Sequence, residues 1–196
     1  FTILFLDVNH ENYDMLAEFP VVSWNGGNVQ VIRDNVLHLL RGQVYTIEGK
    51  TFFTMGGAAC HDIQNGVLDP ADPMFDVMYR ELSFQNKFFR IKHYSWWEQE
   101  MPTVQELEEG WRKLAEYDFQ VDYVLTHCAP TNLQSEIAAI LRNDTYPVNE
   151  LTDYLQRVYD RCSYSHWFCG HYHQPMDITP KFHILYEQVR LLPDAD

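Results

Sequence analysis

The sequence predicts a mixed α/β layered domain, a two-sheet β-sandwich flanked by helices. Three observations predict it. Apolar runs of strand type recur along the whole chain, hairpin signals crowd its first half, and strands alternate with capped amphipathic helices in its second half. The 196 residues suit one domain spanning 1–196. A hydrophobic fraction of 46% supplies a core, and an aromatic fraction of 15% makes that core or a pocket wall aromatic.

The elements follow in order. "TILFL", Thr2 to Leu6, is a continuous apolar run of buried-strand type. "ENYDMLAEF" sets Tyr13, Leu16 and Ala17 at helical spacing, and Pro20 ends the helix. "NVQVIRDNVLHLL", "QVYTIEG" and "KTFFTMGG" are strand signals, with a hairpin turn at Glu48-Gly49-Lys50. From Ala58 to Met101 the pattern dissolves into a long irregular excursion with one short helix, a candidate lid or substrate wall. Trp96 and Trp97 within it are read as packing residues.

Thr103 opens a helix with a capping box to Glu106 and an apolar stripe of Val104, Leu107, Trp111 and Leu114. "VDYVLTH" is a buried strand. Thr131 with Gln134 predicts a second capping box, ahead of Leu133, Ile137, Ile140 and Leu141 on one face. Pro147 fits the first turn of a third helix carrying Leu151, Leu155 and Val158. "SHWFCGHYH" holds another strand, and "FHILYEQVRLL" predicts one or two more.

The formal charge of −14, from 14 Lys and Arg against 28 Asp and Glu, argues against non-specific nucleic-acid binding. Cys60, Cys128, Cys162 and Cys169 form no CxxC pair, which predicts reduced thiols and a cytoplasmic protein. No apolar run is long enough for a membrane span.

Three stretches share one grammar: an apolar strand that ends in metal-friendly side chains. "TILFLDVNHE" ends in Asn9-His10-Glu11, "DYVLTHCAP" in His127, and "HWFCGHYH" in His171 and His173. Strand ends are where layered α/β folds gather ligand sites. Imidazoles with an amide oxygen suit Zn, Mn or Fe. The spacing of His171 and His173 puts both on one face of a strand, or lets them grip two adjacent ions just past one. Gly170 would let backbone come close. His38, His61, His93, His166 and His183 lack this context and read as structural, His61 the least clearly because "GGAACHD" also follows a strand.

"NHE", "TH" before "CAP", and "GHYH", in this order at strand ends, resemble the calcineurin-like metallophosphoesterase superfamily, of small bacterial type. "FFTMGGAACHD" and "SWWEQEMP" resemble further segments of it. The resemblance spans the chain. It implies a metal-dependent phosphoesterase with two divalent ions (Mn, Fe, Zn or Ni). Asn9, His127 and His171 would ligate one ion and His173 the second, and a hydroxide held between them would attack phosphorus. His10 would donate a proton to the leaving oxygen. The implied partner is a phosphorylated small molecule, nucleotide or phosphoprotein. The alternative is a catalytically degenerate binding or scaffold module on the same fold. The family's Asp-x-His and Gly-Asp motifs occur nowhere in the sequence. By analogy they and the opening strands are expected upstream of Phe1, in an N-terminally incomplete domain. Val8 stands where the family has Gly, and a left-handed backbone there would strain its branched side chain.

Overall fold

A computed structural model describes residues 1–142 and 146–193. The described residues build a mixed α/β structure with two multi-strand sheets and five helices. The first sheet has four strands: β1 (Ile3–Phe5), β2 (Val21–Trp24), β3 (Gly27–Arg33) and β4 (Val36–Leu39), in the order β1-β4-β3-β2. β1 lies parallel to β4, and the remaining pairs are antiparallel.

The second sheet contains β5 (Gln43–Ile47), β6 (Lys50–Met55), β9 (Tyr123–Thr126), β10 (His166–Cys169), β11 (Met176–Thr179) and β12 (Phe182–Ile184). Its order is β11-β12-β10-β9-β6-β5, with β6, β9, β10 and β12 parallel. β7 (Val67–Leu68) and β8 (Arg90–Ile91) form a small parallel pair between the two large elements of sequence.

Alternation along the strands assigns the layers. Val29, Leu37 and Leu39 of the first sheet pack with Tyr45, Phe52, Tyr123 and Phe168 of the second. The other face of the second sheet sends Phe53, Met55, Val124 and Trp167 against the helices α3 (Val104–Glu116), α4 (Thr131–Leu141) and α5 (Glu150–Arg161). Between the sheets an apolar cleft of about 410 Å³ remains, walled by Leu4, Leu6, Leu39, Phe52, Leu125 and Phe168. The α1 turn (Tyr13–Leu16) covers the outer face of the first sheet, where Gln30 donates to the Leu16 carbonyl at 2.7 Å.

Local chemistry explains most element boundaries. The Thr103–Glu106 capping box forms in both directions, and Leu114 of α3 is fully buried. Glu48 and Gly49 take positive φ, giving the expected hairpin between β5 and β6. Asn25-Gly26 does the same between β2 and β3, an Asn-Gly signal that the sequence reading passed over along with β2 itself.

Other expectations need correction. Thr131 is inside α4 and not its cap. Pro130 holds that position, and the Thr131 hydroxyl turns to Thr152 and Asp153 of α5 instead. Pro147 lies two residues ahead of the Asn149 cap of α5, outside the helix. Val104 and Ile140, placed on apolar stripes, are exposed. The excursion after Ala58 is more regular than its composition suggested: it carries the β7–β8 pair and the ten-residue helix α2 (Phe75–Phe84), none of whose residues is buried. Beyond Leu185 the described chain forms no strand; β11 precedes β12 instead. The four cysteines are free and buried. Among the described residues no helix is long and apolar enough to cross a membrane.

Trp97 packs as expected, 4% exposed, with its indole N–H on Asp14 at 2.7 Å. It leads into a 3₁₀ turn, Glu98–Glu100, whose last carboxyl is buried with Oε2 unpartnered among the described residues. Burial pushes the Glu100 pKa up to about 8, against the opposing Trp97 N–H bond and the Arg90 charge. Its proton therefore stays on in the folded chain after the unfolded chain has lost it. Stability should fall by up to ~1.4 kcal/mol per pH unit as pH rises from the unfolded carboxyl range towards about 8. Glu100→Gln should remove that decline, matching wild type at pH 5 and exceeding it at pH 8.5 in urea unfolding.

Candidate metal centre

The corner where β1 enters its loop is fixed from below by a buried ion pair. Asp7 is 1% exposed and Arg41 7%. Arg41 Nε donates to Asp7 Oδ2 at 2.8 Å, and its Nη2 donates to the same oxygen and to the Gln99 carbonyl. His38 Nε2 lies 3.1 Å from Asp7 Oδ1, and its Nδ1 lies 2.8 Å from Gln30 Oε1. The Tyr13 hydroxyl, 2.9 Å from Arg41 Nη2, closes the network. Burial alone would raise the Asp7 pKa, but the His38 bond and the Arg41 charge outweigh it and hold the carboxyl at about 2.

Gly56 makes this possible: a Cβ there would sit 2.2 Å from Asp7 Oδ1. The Gly57 amide donates to the Asp7 carbonyl at 3.0 Å, so the ends of β1 and β6 are joined at the same residue. Sequence reading missed Asp7 and Arg41. The available signal was a carboxylate at the end of a buried apolar run, a place where an unpaired charge is too costly to tolerate.

Above this corner the three predicted strand ends converge. Asn9 is 3% exposed. Its Oδ1 accepts from His127 Nε2 at 3.0 Å, and its Nδ2 donates to His10 Nε2 at 3.0 Å. An amide nitrogen only donates, so this orientation puts the His10 proton on Nδ1. The rings of His127 and His171 meet edge to face at 5.0 Å between centroids. Gly170 lines their contact: a Cβ there would lie 3.4 Å from His127 Nδ1.

β10 ends at Cys169, so both remaining histidines lie in the loop past the strand. His171 and His173 both adopt left-handed backbone, φ 70° and 51°, a conformation costing on the order of 1–3 kcal/mol each. Tyr172 between them anchors the loop, its hydroxyl accepting from the Ala129 amide at 3.0 Å and donating to Gln134 Oε1 at 3.2 Å. The loop thereby turns His171 inward, onto His127, and leaves His173 exposed, stacked on Tyr186 at 5.3 Å. Val8 is absent from the left-handed residues, so the strain expected from its branched side chain does not arise.

His61 belongs here too. Its ring meets His171 at 5.4 Å and Tyr146 at 5.7 Å, and its Nδ1 is buried without a partner among the described residues. The structural reading of His61 is therefore incomplete. His38, His93, His166 and His183 do sit in local hydrogen-bond networks, with Asp7, Asp14 and Asp177 supplying the carboxylates.

Electrostatics suit ligation. Burial, then the neighbouring imidazoles, hold His171 at about 2, and burial holds His127 at about 4. Both rings are neutral at pH 7, the form that binds metal. Burial also lowers His10, with Arg90 adding to the effect. Cys128 is no nucleophile: burial pushes its thiol up to about 12.

The donor set has limits. Among the described residues no three His, Cys, Asp or Glu side chains converge tightly enough to hold an ion. What converges is two imidazoles and one amide oxygen, with His10 beside them. The chain matches no family model, no curated protein and no solved structure.

The buried pair beneath the site makes a direct prediction. Asp7→Ala strands the Arg41 guanidinium and should cost about 3–5 kcal/mol in urea unfolding. Gly56→Ala should destabilise by about 1–3 kcal/mol through overpacking against the same carboxylate.

Proposed function

We propose that this chain is a metallophosphoesterase-like domain that hydrolyses a phosphate monoester or diester with the help of a divalent ion. The observation that carries the reading is the contact of Asn9 with both His127 and His10, with His171 ring to ring against His127. Residues from three distant strand ends meet at one point, in the chain order of the superfamily's motifs.

The donors fit an ion. Two ligands bound at about 2.1 Å and roughly a right angle are ~3 Å apart. Asn9 Oδ1 and His127 Nε2 are 3.0 Å apart. Asn9, His127 and His171 would hold the ion once the His127 Nε2 proton is displaced. The ion, Mn, Fe, Zn or Ni, would supply Lewis acidity at phosphorus and an acidified water. His173 at the rim would face a second ion. The superfamily's Asp-x-His and Gly-Asp motifs, which include the carboxylate bridging its two ions, do not occur in the sequence.

The side chains divide the remaining work. Asn9 fixes His10 through Nε2, which leaves Nδ1–H free to approach a leaving oxygen. A phosphate anion beside His10 would favour its charged form, and the contact from Asn9 Nδ2 would then have to open, because a ring protonated at both nitrogens cannot accept from the amide. In hydrolysis the water oxygen ends on phosphorus, the ester P–O bond breaks, and the departing alkoxide takes a proton from His10. Donation leaves the neutral imidazole, and the proton lost by the water would restore the imidazolium. The phosphate carrier, whether small molecule, nucleotide or phosphoprotein, is set by surfaces outside this cluster.

A second reading is a binding or scaffold module with a degenerate metal site. The missing carboxylates favour it. So does the apolar surface of the excursion, where Phe84, Phe88 and Tyr94 are 92%, 64% and 78% exposed.

Incubation with each ion and an aryl phosphate monoester or diester separates the two. The esterase reading expects turnover that chelator abolishes. His10→Ala should lower kcat by about 10²–10⁴-fold with metal content unchanged. His127→Ala and His171→Ala should lose the metal, read by elemental analysis. No turnover with any ion, or wild-type rates in these variants, would sink the esterase reading.

A further inference from the structure

The excursion after β6, which the three strand-end motifs do not include, also reaches the histidine cluster. His61 places its ring against His171, and the next residue, Asp62, holds the guanidinium of Arg90 on β8. This chain of contacts brings one permanent cation to the histidine cluster. Arg41, the other nearby arginine, is spent inside the Asp7 network. Lys92, two residues along from Arg90, points to Asp69 at 3.1 Å.

Asp62 occupies only part of the Arg90 fork. The Arg90 side chain remains 28% exposed, and its Nε is without a partner among the described residues. The exposed part of the guanidinium can take a further acceptor.

The chain as a whole repels such an anion. At a formal charge of −14 its long-range field disfavours phosphate, and neutral histidines do not offset it. A phosphoryl group needs a local cation, and a planar guanidinium suits its oxygens.

We propose that Arg90, oriented by Asp62, is the phosphoryl-binding residue of this site, taking two non-bridging oxygens of a phosphate group beside His10. The assignment rests on the phosphoesterase reading for its catalytic meaning, but anion binding by Arg90 is measurable without turnover. Asp62 is a positioning residue: it holds Nη2 of the fork, and the ligand would take the solvent-exposed part of the guanidinium. The excursion is then a substrate wall with a defined chemical part in recognition.

Inorganic phosphate is the probe, titrated calorimetrically into the purified chain, alongside aryl phosphate kinetics with Mn²⁺. Arg90→Gln should weaken phosphate binding about tenfold or more, the effect of losing charge-assisted hydrogen bonds. It should raise KM by a similar factor with a smaller change in kcat. Arg90→Lys, which keeps the charge and loses the fork, should fall between the two and guards against misfolding of the Gln variant. Lys92→Gln should match wild type. Phosphate binding lost in Arg90→Gln, in a wild-type chain that turns over no ester, supports the anion site and overturns the esterase reading alone. Wild-type phosphate affinity in both Arg90 variants overturns the Arg90 assignment and leaves the esterase reading standing. Failure of the wild-type chain to take up phosphate also overturns the assignment.

Discussion

The Asp7–Arg41 pair is the constraint on which the site depends. A carboxylate at 1% exposure is tolerable only with an opposite charge and a full set of donors. Arg41 supplies the charge, while His38 and Tyr13 supply further contacts. These partners come from β4, from the turn after it and from the α1 turn, so the network binds the first sheet to its own connecting loop. The Gly57 amide adds the end of β6, a strand of the second sheet. Asn9 is two residues from this anchor. Its side chain can bridge His127 and His10 because the backbone beneath it has nowhere else to go.

The second anchor is Tyr172. Left-handed backbone on His171 and His173 needs a surrounding structure that over-determines it. Tyr172, 3% exposed and bonded to both the loop before α4 and Gln134 within it, provides that. The two histidines share a sequence spacing but have opposite fates. His171 is turned inward onto His127, and His173 is left at the rim on Tyr186. The helical layer thus sets the orientation of His171: α4 and the loop before it hold Tyr172 and with it a ring position that a strand alone would not give.

Legibility in the sequence followed the range of the forces involved. Short-range signals were readable: the Thr103 capping box, the Glu48-Gly49 turn, and the apolar runs of β1, β9 and β10. The strand-end histidines were readable because continuous apolar runs stop abruptly at polar residues. Long-range pairings were not. Nothing near Asp7 announces Arg41, which is 34 residues away, and nothing near Thr131 announces that its hydroxyl prefers α5 to its own helix. The Ala58–Met101 excursion misled for a related reason. Behind its two Asp-Pro pairs lies a helix whose side chains are not buried, so no core stripe marks it.

The excursion also explains why a cluster of neutral imidazoles is not, by itself, a phosphate site. Burial that keeps His127 and His171 unprotonated prepares them for a metal, but it removes the charge an anion would seek. Those two demands conflict on the same rings. The fold separates the groups of the proposed site in space: the imidazoles of His127 and His171 follow the ends of buried strands, where desolvation is strong, and the fixed cation comes from β8 at the partly solvated edge. Arg90 stays charged there because its resting partner is a carboxylate that shares the same solvent. A cation buried among the histidines would compete with the metal for the site. One held at its border by Asp62 would meet the proposed phosphate without entering the coordination space of the proposed ion.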